Sequence, residues 1–428
     1  MPLVQSIIRI TKELGALQKG SDLSLAVACR DIDVRNVRAL IIGPHQTPYE
    51  FGFFEAPSVI SVTTDRGRCR FNPNIYSDGK VCLTWRGEKG EEWSSAQGLE
   101  SILISIQSLM SSNPYENEPG FESADTVEDR MLQKSYNQKI SHETLRISVI
   151  NRLEGYLGLK PDGTKDTTDG SSGGADADEA DEAAAAFEPF KDLCKNRFLW
   201  YYDSYLAITQ RGKEESETGE QFVRMPFESH GSNSMEGVFD FTSLEKRLVA
   251  IKSALDHETR SWELEGATAA ASESTVAINL KHQYSQVVSR MRMQTAHDAI
   301  LENNNPFVWI VTYFGQLGTK LDGGLFRIRI TFSPRFPWEQ PRVRFETKIF
   351  HHLVAKDGTA CYTPNPAKRE DVWSHIEAII DILDDEDPAY DPRKIVNLEA
   401  TELYWNGKES DKNKYYRRLC RSAQDSGE

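Results

Sequence analysis

The sequence predicts an α+β protein in which one type of domain occurs twice, with a helical region in the middle. Three observations lead to this prediction. Short β-prone segments are followed by amphipathic helices near both ends of the 428-residue chain. The spacing around one cysteine in the first half returns around another cysteine in the second half. Between the two, long stretches place apolar residues at helical spacing.

The composition is that of a soluble protein of two or three domains. Hydrophobic residues make up 39% of the chain and charged residues 27%, and the net charge is −15. A nucleic-acid surface needs clustered Lys and Arg, so the acidic balance argues against nucleic acid as the main partner. No uncharged apolar run reaches the ~18 residues of a membrane-spanning helix, so we also expect no membrane partner.

The cysteines favour a reducing compartment, which means the cytoplasm, the nucleus or both. They are far apart and form no CxxC pair: Cys29, Cys69, Cys82, Cys194, Cys361 and Cys420. This argues against a disulfide framework and a zinc site. The nine histidines are scattered apart from one adjacent pair, so we expect no metal site.

The segment 160–186 is the clearest domain boundary. It is rich in Gly, Ser, Asp and Ala and cannot bury enough apolar surface to offset its ordering entropy. We expect a flexible acidic tether, with an acidic interaction tract as the alternative. Residues 1–159 before it form the first domain, with helical patterns at 4–18 and 125–155 and β-prone stretches between them.

Three further segments follow the tether. Residues 187–266 are predicted to be a helical extension, 267–278 a second linker, and 279–428 a second domain. In that second domain, FRIRITF at 326–332 alternates apolar and polar residues. This alternation predicts a half-buried antiparallel strand.

An internal repeat relates the two ends of the chain. Asn74 lies eight residues before Cys82, and Leu353 lies eight residues before Cys361. Both cysteines are preceded by Asp-Gly and two further residues, as DGKVC and DGTAC. A Trp-Ser pair and then a proline follow each: Trp93-Ser94 with Pro114, and Trp373-Ser374 with Pro388. The spacing predicts a duplicated domain.

Cys82 and Asn74 have the chemistry of a thioester carrier. Thioesters exchange readily between thiols, so a carrier needs one accessible cysteine and no protease triad. When an amine attacks the thioester, charge develops on the carbonyl oxygen, and an amide donor such as Asn74 stabilises it. From the residues alone, a structural core role for Cys82 is an equal alternative.

Two segments around this cysteine carry a resemblance, RFNPNIYSDGKVCL at 70–83 and EEWSSAQGLESILISIQSLMSSNPYENEPGFE at 91–122. They resemble the ubiquitin-conjugating family, which pairs a His-Pro-Asn motif with the acceptor cysteine and continues with Trp-Ser-Pro and a helix ending in Asn-Pro. This chain has Asn72 where the family motif has His, and in this feature it is similar to the large class Z, class O and inhibitor-of-apoptosis-fused members. The segments 135–150 and 225–248 are most similar to class Z.

The resemblance implies the ubiquitin-conjugating fold in each copy: an N-terminal helix, an antiparallel β-meander and C-terminal helices. It implies that Cys82 is the thioester acceptor and that Asn74 stabilises the oxyanion. Glu116 and Asn117 are weak candidates for the acidic gate that orients the incoming lysine, because the register of NPYENEP differs from the family pattern.

The first copy is shorter than the family pattern. Phe326 and Pro341 of the second copy are 15 residues apart, whereas the corresponding Phe54 and Pro57 are only 3 apart. We therefore expect the first copy to lack its third strand, the counterpart of FRIRITF. Such a loss would leave a sheet edge unpaired unless another segment fills the gap.

The second copy has the complementary defect. Cys361 is in register as a candidate second acceptor, but Leu353 replaces the oxyanion Asn and offers no hydrogen-bond donor. The adjacent His351 and His352 could supply a donor, although such paired histidines are more often structural residues that are partly exposed. We expect a non-catalytic docking domain.

The favoured function is a transferase that accepts ubiquitin or a ubiquitin-like modifier from an activating enzyme on Cys82 and passes it to substrate lysines, with a ubiquitin ligase present. No metal or organic cofactor is expected, since the activating enzyme uses the ATP upstream. The N-terminal helix, with Arg9 and Lys12, is a candidate contact for that enzyme, although a solvated helix face predicts the same charges.

Two other functions are alternatives. One is a catalytically weak adaptor that binds ubiquitin or a partner conjugating enzyme. The other, a cysteine hydrolase, is disfavoured because no His or Asp partner lies in a recognisable motif near either cysteine.

Overall fold

The computed structural model describes residues 2–20, 22–30, 33–57, 61, 63–65, 67–82, 98–123, 125–165, 187–228, 235–294 and 296–427. They form two compact units: a first unit of Met1–Cys194 and Tyr205–Ile251, and a second unit of Lys195–Ser204 and Lys252–Glu428. Among the described residues, no helix combines the length and apolar character that a membrane crossing requires.

The elements up to residue 160 are helix α1 (Pro2–Lys19), strands β1 (Leu25–Arg30), β2 (Asp33–Ile42) and β3 (Phe53–Pro57), and helices α2 (Leu99–Ser108), α3 (Val127–Glu143) and α4 (Arg152–Leu157), with a π-helix (Thr144–Asn151) between the last two. The later elements are α5 (Lys191–Glu215), α6 (Phe241–Ala271), α7 (Thr275–Gln294), β4 (Asp298–Leu301), β5 (Val308–Phe314), β6 (Leu325–Thr331), β7 (Arg342–Phe345), α8 (Val372–Asp384), α9 (Leu398–Thr401) and α10 (Glu409–Asp425). Short 3-10 turns include Pro114–Asn117 and Pro392–Lys394.

The first unit contains an antiparallel sheet of strand order β1-β2-β3. Leu25 pairs with Ile41, and Ile42 pairs with Phe53. One core cluster joins the sheet to α1, α2 and α3, through residues such as Leu14, Val27, Ile41, Phe54, Leu103, Ile106 and Ile140. The helices predicted at 4–18 and 125–155 are confirmed, since α1 covers the first and α3, the π-helix and α4 cover the second.

The expectation that the first unit lacks its third strand is wrong. A third strand, β3, is present and pairs antiparallel with β2 through five residue pairs. Its outer edge is partly covered by side chains: the Glu55 backbone N–H donates to the Thr63 Oγ1 at 3.0 Å, and Arg152 donates to both side chains. A counterpart of β7 is not found among the described residues, which stop at Pro57 and resume at 61. The Thr63 hydroxyl thus accepts a backbone hydrogen bond at the edge where a fourth strand would pair, and Arg152 holds that hydroxyl in place.

The second unit has a four-stranded antiparallel sheet of order β4-β5-β6-β7. The alternation predicted for FRIRITF is confirmed in β6, where Phe326, Ile328 and Ile330 are fully buried. Arg329 on the opposite face pairs with Glu302 at 2.6 Å. The apolar face belongs to a single core that includes α7, α8 and α10.

The linkers differ from the sequence-based boundaries. The stretch 267–278, expected to be a linker, is mostly helical, with only residues 272–274 between α6 and α7. Its alanines explain this, because Ala has the highest helix propensity. Of the expected tether, residues 160–165 form a turn closed by a Leu159–Lys165 bridge, and 166–186 lie outside the described residues.

Candidate active site

Cys82 lies at the end of a tight β-hairpin. Its backbone N–H donates to the Asn74 carbonyl at 2.8 Å, and the Tyr76 N–H donates to the Lys80 carbonyl at 2.8 Å. Three residues form the loop, and the last of them, Gly79, has a φ of 90°. A three-residue hairpin loop of this kind needs a left-handed residue at its last position, which explains the Asp-Gly before the cysteine.

The two faces of this hairpin differ in exposure. Ile75 and Val81 pair with each other, are 3% and 2% exposed, and point into the core. Because side chains alternate along a strand, the neighbouring residues share the opposite face. We call these the outer face: Asn74, Tyr76, Lys80 and Cys82, of which Lys80 is exposed and the others are half-buried. Asn74 lies directly across from Cys82, where cross-strand side chains are in contact range.

A buried asparagine anchors the turn that holds Asn74. The Asn72 Nδ2 donates to the Tyr49 Oη at 2.9 Å and to the Leu109 carbonyl at 2.8 Å. Its Oδ1 accepts from the Asn74 backbone N–H at 2.9 Å. Among the described residues, the Asn74 side-chain amide has no hydrogen-bond partner. The turn is therefore fixed, and no side chain or backbone group in the described part of the chain occupies that amide.

An aromatic ring beside Cys82 was not singled out by the sequence analysis. Tyr76 lies on the outer face with Cys82, and burial together with the nearby Cys82 thiol raises the pKa of Tyr76. The Arg70 guanidinium lies 4.8 Å and the Lys80 ammonium 5.7 Å from the ring centroid. Strand alternation from Asn74 would have indicated Tyr76, because the two residues are two positions apart.

Arg70 is held by contacts that no local sequence pattern predicts. Its Nη2 donates to the Pro73 carbonyl at 2.5 Å and forms an ion pair with the Glu118 Oε2 at 3.2 Å. Glu118 is 48 positions away in the sequence. The turn before Cys82 is thus tied to the segment that follows α2.

The two candidates for the lysine gate have different environments. Glu116 is exposed in the 3-10 turn Pro114–Asn117. The Asn117 Nδ2 donates to the Leu109 carbonyl at 2.9 Å and lies 3.4 Å from the Asn72 Oδ1. The Asn117 amide is therefore engaged in the same network as Asn72, whereas the Glu116 carboxylate faces solvent. Trp93-Ser94 lies outside the described residues.

The second unit repeats the hairpin around Cys361. The Cys361 N–H donates to the Leu353 carbonyl at 2.8 Å, and the Ala355 N–H donates to the Thr359 carbonyl at 2.9 Å. Gly358 has a φ of 91°. The His351 Nδ1 accepts from the Leu353 N–H at 3.1 Å, which is the role of Asn72 in the first unit.

Cys361 is buried, unlike Cys82. It is 1% exposed, and burial raises the pKa of its thiol to about 12. His351 and His352 are each 3% exposed, and burial lowers their pKa values to about 3 and about 2. Both histidines are therefore neutral near pH 7. The expectation that this pair is partly exposed is wrong, because α10 covers it, with the Tyr415 hydroxyl 2.9 Å from the His352 Nδ1.

A protein-family model described as "Ubiquitin-conjugating enzyme" matches this chain in two segments, residues 9–144 and 279–415. Together these segments cover more than half of the chain, which therefore belongs to the ubiquitin-conjugating enzyme family. The predicted family, fold and duplication are confirmed.

The chain is of the class Z type. It is 34% identical over 261 residues to Ubiquitin-conjugating enzyme E2 Z of Homo sapiens, covering 58% of this chain and 63% of that protein. The protein of the same name from Xenopus tropicalis is 34% identical over 269 residues, 60% of this chain and 74% of that protein. The human Dual E2 ubiquitin-conjugating enzyme/E3 ubiquitin-protein ligase BIRC6 is 33% identical over 157 residues, 32% of this chain and 3% of that protein. The chain thus spans less than two thirds of the human class Z relative.

Proposed function

We propose that this protein accepts ubiquitin or a ubiquitin-like modifier as a thioester on Cys82 and transfers it to substrate lysines. One observation carries the proposal: the half-exposed Cys82 lies across an anchored hairpin from Asn74, whose side-chain amide has no hydrogen-bond partner among the described residues. The names of the relatives support the same class of reaction.

The reaction consists of two acyl transfers. In the first, the Cys82 thiolate attacks the thioester carbonyl of the modifier on the activating enzyme, a new C–S bond forms, and the activating enzyme's thiolate leaves. In the second, a neutral lysine amine attacks that carbonyl, the Cys82 thiolate leaves, and the nitrogen loses a proton. Asn74 would donate to the oxyanion formed in the second step. Neither step needs a metal or an organic cofactor.

Glu116 is the better of the two candidates for orienting the incoming lysine. Its carboxylate is exposed and can accept from an ammonium group, whereas the Asn117 amide is engaged with Leu109. A carboxylate that contacts the incoming lysine amine also favours loss of the amine's proton during the attack.

The partners that this function requires are an activating enzyme, the modifier, a ubiquitin ligase and protein substrates. The activating enzyme would meet α1, where Lys12 is exposed and Arg9 forms an ion pair with Glu13 at 2.7 Å. We propose a cytoplasmic or nuclear location, where such partners and reduced thiols occur together.

The second copy is proposed to be a non-catalytic docking domain. Its thiol is buried with a raised pKa, and the residue across the hairpin is Leu353, which cannot donate to an oxyanion. Both features act against the two transfers.

A charging assay tests these assignments. Activating enzyme, ATP and ubiquitin are incubated with the wild type, Cys82→Ala, Cys361→Ala and the double variant, followed by non-reducing electrophoresis. We expect a reductant-sensitive band that is lost in Cys82→Ala and in the double variant and kept in Cys361→Ala. Loss in Cys361→Ala alone would move the carrier site to the second copy. If neither the wild type nor any variant forms the band with any activating enzyme while the protein stays folded, the transferase proposal is refuted.

A further inference from the structure

Lys80 shares the outer face of the hairpin with Cys82. The two residues are two positions apart on the strand that returns from the loop, so their side chains project from the same face. Two residues along a strand are separated by only about 6.6 Å, less than the combined reach of a lysine and an acylated cysteine side chain. Lys80 is solvent-exposed, so its amine can turn toward the thiol.

The Tyr76 ring brings the two groups to the same place. Lys80 lies directly across the hairpin from Tyr76, with its ammonium 5.7 Å from the ring centroid. Tyr76 shares the outer face of the hairpin with Cys82, and the two side chains interact electrostatically. A cation–π contact of this range holds the amine over a ring on the same face as the sulfur.

We propose that Lys80 is a self-modification site, to which the acyl group on Cys82 is transferred within the same molecule. This inference rests on the proposed thioester on Cys82. The neutral Lys80 Nζ attacks the thioester carbonyl, an isopeptide bond forms, the C–S bond breaks, and Cys82 leaves as a thiolate while the nitrogen loses a proton. No further reactant is needed. An amine held beside its target reacts far faster than one free in solution.

The product would inhibit the enzyme. An isopeptide-linked modifier on Lys80 is not released by thiols and stands on the same face as Cys82. It would obstruct the next charging of that cysteine. The second copy cannot do this, because Thr359 takes the place of Lys80 across from Ala355.

A single-turnover experiment on the full chain tests the proposal. The wild type, K80R and K134R are charged with ubiquitin, ATP is removed, and each is incubated without any acceptor. Lys134 is the matched control, an exposed lysine on α3 with 64% of its side chain accessible. Reductant-sensitive and reductant-resistant products are followed on gels, and the attachment site is read by peptide mass spectrometry.

We expect all three proteins to charge equally. In the wild type and K134R the thioester should decay into a reductant-resistant product linked at Lys80. In K80R that product should be at least about tenfold lower, because arginine keeps the charge but does not act as the acceptor. An unchanged amount in K80R would overturn the proposal and leave the function of Cys82 intact. If no thioester forms in any of the three, both the function and this proposal fail.

The intramolecular route is tested separately. An epitope-tagged Cys82→Ala variant, which retains Lys80, is mixed with charged wild type. Transfer within one molecule predicts no modification of the tagged chain and a decay rate that does not depend on protein concentration. Modification of the tagged chain at Lys80 at a comparable rate would refute transfer in the same molecule.

Discussion

The two cysteine hairpins have the same backbone and different side chains. In both, the cysteine N–H donates over 2.8 Å to the carbonyl eight residues earlier. The glycines at the end of the loops, Gly79 and Gly358, have φ values of 90° and 91°. Yet Cys82 is half-exposed and faces an asparagine, whereas Cys361 is buried and faces a leucine. A local sequence therefore builds the hairpin, and the residues around it decide whether the thiol can react.

The largest expected difference between the hairpins is in thiol reactivity. A rise of the Cys361 pKa from 9.0 to about 12 reduces its thiolate fraction about 1000-fold at neutral pH, and burial blocks the reagent as well. We expect iodoacetamide to label Cys82 in the native protein and to leave Cys361 unmodified over the same time. Peptide mass spectrometry measures both. In urea the two should label at similar rates; equal labelling under native conditions would remove the contrast between the copies.

The next effect concerns the residue across from each cysteine. N74A should keep the charging of Cys82 but slow transfer to lysine by about 100–1000-fold, because the oxyanion loses its donor. Single-turnover discharge to free lysine measures the rate. The reciprocal variant L353N should gain no charging at Cys361, since the thiol stays buried. Charging of L353N would mean that the second copy fails to form a thioester only because it lacks the amide.

The buried histidines make the second unit sensitive to acid. Their pKa values lie below the usual 6.5 in the folded state, so the unfolded chain takes up protons first as the pH falls. The stability of this unit is therefore greatest above about pH 6.5 and falls toward the folded-state values of about 3 and about 2. At pH 5 the loss should be about 2 kcal/mol for each histidine.

The variant H351N tests this with the residue that the first copy uses. Asn72 accepts the same backbone hydrogen bond as His351 but cannot be protonated. The free energy of unfolding of the second unit, measured by hydrogen exchange of the amides in β6, should depend less on pH in H351N than in the wild type. The same pH dependence in both proteins would show that His351 is not the titrating group.

The smallest expected effect concerns the glycine of the first loop. G79A should destabilise the first unit by about 1 kcal/mol, because alanine is strained at a φ of 90°. G79N should cost less, since asparagine tolerates this region. Urea unfolding compares the variants. In the second unit, G358A should cost more than backbone strain alone, because its Cβ would meet the Phe345 carbonyl oxygen at 2.3 Å.

The sequence by itself determined the features that depend on neighbouring residues. The Asp-Gly before each cysteine specified the hairpin, since a left-handed glycine is needed at that point of the loop. The alternation in FRIRITF specified which face of β6 is buried, and the shared spacing revealed the duplication. These features follow from covalent geometry and from the period of a strand, which act within a few residues.

Only the tertiary structure decided the features that depend on distant residues. The burial of Cys361, the engagement of Asn117 and the contact of Arg70 with Glu118 arise from elements far apart in the sequence. The edge of the third strand of the first unit is likewise bonded by the Thr63 hydroxyl, which Arg152 holds in place and which no strand pattern indicates. The physical reason is that desolvation and hydrogen bonding depend on what the fold brings into contact, whereas a sequence pattern reports only the nearby backbone.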